Sequence, residues 1–117
     1  MKISASALVV LLFFAGCTKK SGEKAVETAI ETSAEATLRR GRSIYQTQCT
    51  SCHGSDPKRA GALGPDVFGS SRELLERRIL HGDYPAGHKP KSPSKVMVAL
   101  PHLKNEIDAL TAYLNSP

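Results

Sequence analysis

Five consecutive residues, Cys49-Thr50-Ser51-Cys52-His53, constrain this chain more than any other stretch. Two cysteines three apart, with histidine directly after the second, have the C-x-x-C-H spacing of covalent haem attachment. The chemistry explains the spacing. Two thiols must reach two vinyl groups of one macrocycle, while the next side chain turns onto its iron. The imidazole supplies one axial bond and leaves the opposite position to a residue elsewhere in the chain. Two other chemistries use close cysteine pairs. Structural zinc wants four ligands, commonly from paired motifs, and no second pair exists here. A dithiol redox pair is expected beside a βαβ pattern, and no convincing strand run occurs.

The third cysteine, Cys17, belongs to a different device. Lys2 precedes an apolar run, Ala7 to Phe14, that ends in Ala15-Gly16-Cys17. A charged start, a short hydrophobic segment and small residues at a cleavage point describe an export signal. The stretch from Ile3 to Gly16 reaches about 21 Å as a helix at 1.5 Å per residue, short of a ~30 Å hydrocarbon core. It is therefore read as a signal over 1–16, not as a permanent span. Phe14-Ala15-Gly16-Cys17 also resembles the bacterial lipobox, in which the cysteine is acylated, although Phe stands where Leu is usual. Lipidation at Cys17 explains a thiol that would otherwise be a liability in an oxidising compartment, and acyl chains would hold the protein to a membrane without spanning it. Thr18, rather than Asp, after the cysteine points to the outer membrane in a two-membrane bacterium.

Residues 17–36 are polar and alanine-rich, with Glu23, Glu27, Glu31 and Glu35 recurring every fourth position. Like charges at that spacing repel mildly on a helix, so this stretch is expected to be a flexible tether, partly helical or disordered. About 80 residues remain for one domain, 37–117. A domain this small often needs a staple, and with aromatics at 5% and no tryptophan, the apolar face of a haem would serve as one. The formal charge is +5, and residues 37–117 carry twelve Lys/Arg against seven Asp/Glu. Nucleic-acid binding would want a basic cluster with aromatics or a recognition motif, and neither is present. A solvated basic surface, or docking to acidic redox partners, remains.

Within 37–117 the pattern is helical. Thr37 can cap a helix on which Leu38, Gly41 and Tyr45 share a face, with Ile44 at its edge. A glycine inside a helix costs up to about 1 kcal/mol relative to alanine, so Gly41 suggests close approach of another helix. Ser70 and Glu73 have capping-box spacing, and Leu74, Leu75, Arg78 and Ile79 follow until His81-Gly82. The segment Asp83 to Val96, with Pro85, Pro90 and Pro93, is expected to be irregular. Asn105 with Asp108 can cap a last helix, whose stripe is Ile107, Leu110, Tyr113 and Leu114.

Gly41, Tyr45, the Cys49–Gly54 motif, Gly64-Pro65, Met97 and Leu110-Thr111-Ala112-Tyr113-Leu114 occur in the order of a small class I cytochrome c, and the chain resembles that family over about 80 residues. The resemblance implies an all-α cytochrome c fold, three to four helices around one covalent haem. It implies a crossing of the first and last helices at Gly41 and Tyr45. Cys49 and Cys52 would form the thioethers and His53 the proximal iron ligand, its other ring nitrogen donating to the Pro65 carbonyl. Met97, the one methionine besides the initiator, precedes the last helix by the family's short interval and would be the sixth ligand. The family often has proline after this methionine; here Val98 follows, and Pro101 comes later.

These readings give a monohaem one-electron carrier, tethered by lipid on the periplasmic side of a bacterial envelope and passing electrons between protein partners. A saturated His/Met iron leaves no position for substrate, so catalysis is not expected. The alternatives are a haem enzyme or gas or redox sensor whose sixth ligand dissociates, and an electron-entry subunit of a larger oxidase or dehydrogenase. His81, His88 and His102 are rival sixth ligands.

Overall fold

The computed structural model describes residues 23–117. The signal stretch 1–16 and the acylation site Cys17 lie outside the described residues. Helix α1 spans Glu23–Gln48, and α2 is the single turn Thr50–His53. Helix α3 spans Arg72–Glu76 and runs directly into a π-turn at Arg77–His81. A 3₁₀ stretch, Pro101–Glu106, leads into α4, Ile107–Leu114. No strand occurs among the described residues, so the all-α expectation holds.

The contact of α1 with α4 is the most extensive between any two elements, and Gly41 makes it possible. A Cβ at Gly41 would lie 2.6 Å from the Ala109 carbonyl carbon and 2.8 Å from Tyr113 Cβ. No side chain fits there, so the two backbones meet directly. One turn along α1, Tyr45 packs against Tyr113 with ring centroids 5.6 Å apart and the planes tilted by 49°, a favourable aromatic geometry. Tyr45, Ile107 and Leu110 are fully buried, and Leu75, Ile79, Leu103 and Leu114 complete the core. The end of α4 is fastened to the loop before α3, where Gly69 N–H donates to the Leu114 carbonyl at 2.9 Å and Asn115 Nδ2 donates to the Ser70 carbonyl at 2.9 Å.

Three sequence expectations about helix starts are corrected. Helix α1 spans Glu23–Gln48, so residues 23–36, expected as a partly helical or disordered tether, are helical and run on through Thr37. Alanine and glutamate are good helix formers, and they outweigh the mild repulsion of the glutamate repeat. Thr37 lies inside the helix, where its hydroxyl donates to the Ser33 carbonyl at 3.0 Å, the i−4 bond such residues make away from caps. The cap of α3 is Ser71, whose side chain accepts from Leu74 N–H at 3.2 Å, while the Ser70 hydroxyl donates to the Val67 carbonyl. Finally, the segment before α4 opens on Pro101, whose missing N–H costs nothing at a helix start. Asn105 falls inside that 3₁₀ stretch, and Asp108 pairs with Arg72 Nε at 2.7 Å. The stop at Gly82 is as expected, with φ +74 in the left-handed region that glycine tolerates.

An ion pair closes the α1–α4 crossing. Arg40 holds Glu106 at two oxygens, Nε to Oε2 at 2.9 Å and Nη2 to Oε1 at 2.5 Å. The hydrogen bond from Arg40, and then its charge, keep the Glu106 carboxyl below its ordinary 4.5. A lowered carboxylate pKa stabilises the fold above the ordinary value and loses that contribution as pH falls through the folded one. Glu106→Gln should therefore lower Tm at neutral pH and match the parent once the pH is well below 4.5. Thermal melts across that range check this, and an offset constant with pH would contradict it. At the crossing itself, Gly41→Ala should destabilise by about 3 kcal/mol, the upper end for overpacking, because the clash is with backbone. That corresponds to a Tm drop on the order of 15 °C for a domain of this size.

Candidate haem site

The motif sits where α1 gives way to α2. Cys49 N–H still donates to the Tyr45 carbonyl at 2.9 Å, and His53 N–H donates to the Cys49 carbonyl at 2.9 Å. Cys49, Cys52 and His53 thus occupy i, i+3 and i+4 on a helical turn, positions that share one face. The α1–α4 packing aims this face, because Tyr45 is locked in the core and its hydroxyl reaches over the motif to donate to the Gly54 carbonyl at 2.8 Å. Burial, above all, with smaller contributions from Cys49, Tyr113 and Asp56, pushes the Tyr45 phenol up to about 12, so it remains a donor throughout the physiological range.

The loop after the motif folds back onto it. Leu63 N–H and Gly64 N–H both donate to the Cys52 carbonyl, at 3.1 and 3.0 Å. A Cβ at Gly64 would stand 2.6 Å from both Nδ1 and Cε1 of His53, so only glycine lets the backbone lie on the imidazole. Gly61 makes a similar approach, since a Cβ there would lie 2.5 Å from Gly54 N. His53 Nδ1 is 2.8 Å from the Pro65 carbonyl oxygen. A carbonyl only accepts, so Nδ1 carries the proton and Nε2 presents its lone pair, the tautomer a metal ligand needs.

These groups border one large cavity, which Cys49, Cys52, His53, Pro65 and Met97 all line. Tyr45, Leu75, Ile79, Leu103, Leu110 and Leu114 supply its apolar floor. Gly41 does not reach it, acting instead through the helix crossing. Met97 is half-buried and packs against the core cluster. Of the rival histidines, His88 lines the cavity, whereas His81 and His102 are exposed and do not.

Arg78 is a residue whose part in the site sequence reasoning missed. Its guanidinium donates to the Gly82 carbonyl and, at 3.4 Å, to the Met97 carbonyl, and it lies 4.7 Å from the centre of the Tyr84 ring. The available signal was an arginine at helical spacing from Leu74 and Leu75, on the face otherwise given to the core. The Lys91–Asp66 pair, 2.5 Å apart, was not foreseen either. It joins the irregular segment to the residue beside Pro65, and the lysine holds the Asp66 carboxyl below its ordinary value.

The chemistry of the donor set separates the three readings of the motif. Burial, then the neighbouring Cys52, pushes the Cys49 thiol up to about 11, whereas a reactive dithiol has a lowered pKa. Among the described residues no three His, Cys, Asp or Glu side chains converge as a metal site, so a zinc set is not assembled. A large apolar group bonded at the cysteines does fit. Among the described residues the large hydrophobics that stand exposed are Leu63, Val96 and Val98, at 57, 62 and 69%, and all three line this cavity. A flat apolar macrocycle would cover them.

Comparison with known proteins agrees with that chemistry. Neither the curated proteins nor the solved structures returned a match to the chain. Residues 36–114 match the family model described as cytochrome c oxidase, cbb3-type, subunit III. The match begins within α1 and takes in α2, α3, the π-turn, the 3₁₀ stretch and α4. Domains of this type face the periplasm or the cell exterior. The chain therefore belongs to the cbb3-type subunit III cytochrome c family, as a small monohaem domain that binds haem c covalently and serves electron transfer.

Proposed function

We propose that this domain is a one-electron carrier with His53 and Met97 as axial ligands, passing electrons between protein partners on the outer face of a bacterial membrane. The observation that carries the reading is the convergence of Cys49, Cys52, His53 and Met97 on one apolar cavity. When bound, the haem supplies an iron that cycles between ferric and ferrous states. The residues of the chain do the rest. Cys49 and Cys52 form the thioethers. His53 offers Nε2 because Pro65 holds the proton on Nδ1. Gly64 keeps the loop flat on the imidazole, fixing its rotation. Met97 brings a thioether sulfur, which favours reduced iron and raises the potential relative to a second imidazole. The apolar floor would keep water from a bound haem, which would limit reorganisation when the charge changes. Ligation by both His53 and Met97 would leave the iron no open position for substrate, which favours the carrier reading over a peroxidase-like or gas-sensing one.

The basic excess of the domain suits an acidic partner surface. The amino-terminal signal and Cys17 support export and a lipid anchor at the membrane, the outer one by the residue after the cysteine. Among the described residues no helix is long and apolar enough to cross a membrane. The family match favours one further reading, that the domain works as an electron-entry subunit of a larger oxidase. The site chemistry is the same, and co-purification from a native membrane distinguishes a free carrier from a subunit.

The ligand assignment has a direct test. The oxidised full-length protein, matured with its haem, should show the long-wavelength charge-transfer band of methionine sulfur on ferric iron. Met97→Ala should abolish the band and open the iron to carbon monoxide, with the covalent haem retained. Met97→His should keep a six-coordinate iron and lower the potential. A parent protein that lacks the band, or that binds carbon monoxide readily, would contradict the His/Met assignment and favour the enzyme or sensor.

A further inference from the structure

The sixth position has a competitor built into the same cavity wall. His88 lines the cavity together with Met97. It is half-buried, and among the described residues neither of its ring nitrogens has a hydrogen-bond partner, so either one can present the lone pair, according to the tautomer. What occupies the imidazole instead is a face-to-face contact. The His88 and Tyr84 rings lie 5.2 Å apart and within 6° of parallel. The other contact on Tyr84 is the Arg78 guanidinium, 4.7 Å from the ring centre. The turn that presents His88 is closed by its own N–H donating to the Pro85 carbonyl at 3.1 Å, with Gly87 in the left-handed region at φ +76.

Arg78 connects this stack to the rival ligand. The guanidinium that sits on Tyr84 also donates to the carbonyls of Gly82 and Met97. One side chain therefore grips both ends of the irregular segment and the aromatic ring that holds His88. Further along the segment, Lys91 ties it to Asp66. The consequence is a choice between two donors carried on a single strand of chain, with Met97 steadied by its backbone and His88 steadied by its ring.

We propose that Arg78 and Tyr84 are positioning residues that select the sixth ligand, holding Met97 in place while stacking His88 away from the iron. The inference rests on the His/Met assignment above and extends it. Because a methionine raises the potential relative to a second imidazole, the stack also sets the potential at which the domain works. Release of His88 would convert the site to bis-histidine ligation and lower that potential.

The test uses the matured full-length protein with Tyr84→Ala, Tyr84→Phe, and Tyr84→Ala combined with His88→Ala. Tyr84→Phe keeps the ring and should leave the methionine charge-transfer band and the potential unchanged. Tyr84→Ala should lose most of the band and shift the potential downward while the iron stays low-spin. Adding His88→Ala should restore both, because no released imidazole remains. If Tyr84→Ala keeps the band, or if the double variant loses it as fully as the single one, the stack does not select the ligand. A parent protein without the band would overturn the ligand assignment and this inference together. A parent with the band and an unresponsive Tyr84→Ala overturns the inference alone.

Discussion

The close approach of α1 and α4 at Gly41 is the constraint on which the other features depend. Nothing between those backbones could be larger than hydrogen, since a Cβ would meet Ala109 and Tyr113. The approach brings Tyr45 into the core against Tyr113, and from there its hydroxyl reaches the Gly54 carbonyl just past the motif. A helix crossing is thereby converted into an orientation for Cys49, Cys52 and His53. The Arg40–Glu106 pair holds the same crossing from its solvent side. It is exposed, so its contribution is modest and screened by salt, and the crossing depends on packing.

The domain's core ends in a cavity whose apolar rim its own side chains leave uncovered. Leu75, Ile79, Leu103, Leu110 and Leu114 are buried within the protein and also border the cavity. Leu63, Val96 and Val98 stand at its rim with more than half of their surface in water. Covering one such side chain fully contributes about 1.5–3 kcal/mol, so a haem seated in this cavity would be a structural component as well as the redox centre. A small chain without tryptophan can then form a stable unit, with the cofactor in place of the missing aromatics.

The motif, the last helix and the glycine at the crossing were legible in the sequence because each is local or periodic. Cys49 to His53 is a fixed spacing, Ile107 to Leu114 a 3.6-residue stripe, and Gly41 an anomaly inside a helical pattern. Helix starts were less legible. Ser70 and Ser71 are adjacent and equally able to cap, and the choice between them depends on whether the hydroxyl meets Val67 or Leu74. The continuous α1 was hidden by a glutamate repeat whose repulsion is weaker than the helix propensity around it. Arg78 could not be assigned from sequence because its partners, Gly82, Tyr84 and Met97, are brought to it by an irregular segment that has no period to read. The π-turn at Arg77–His81 is of the same kind, an extra residue in a helix that often accompanies a functional site and leaves little trace in a hydrophobic pattern.

The central claim is that Cys49 and Cys52 carry one haem between them, and intact-protein mass spectrometry tests it most directly. Full-length protein produced with haem-maturation machinery should be heavier by one haem, with the added mass retained under denaturing, acidic conditions and localised to the peptide containing Cys49 to His53. A mature protein of unmodified polypeptide mass in that segment, with both thiols free to alkylate, would contradict the account.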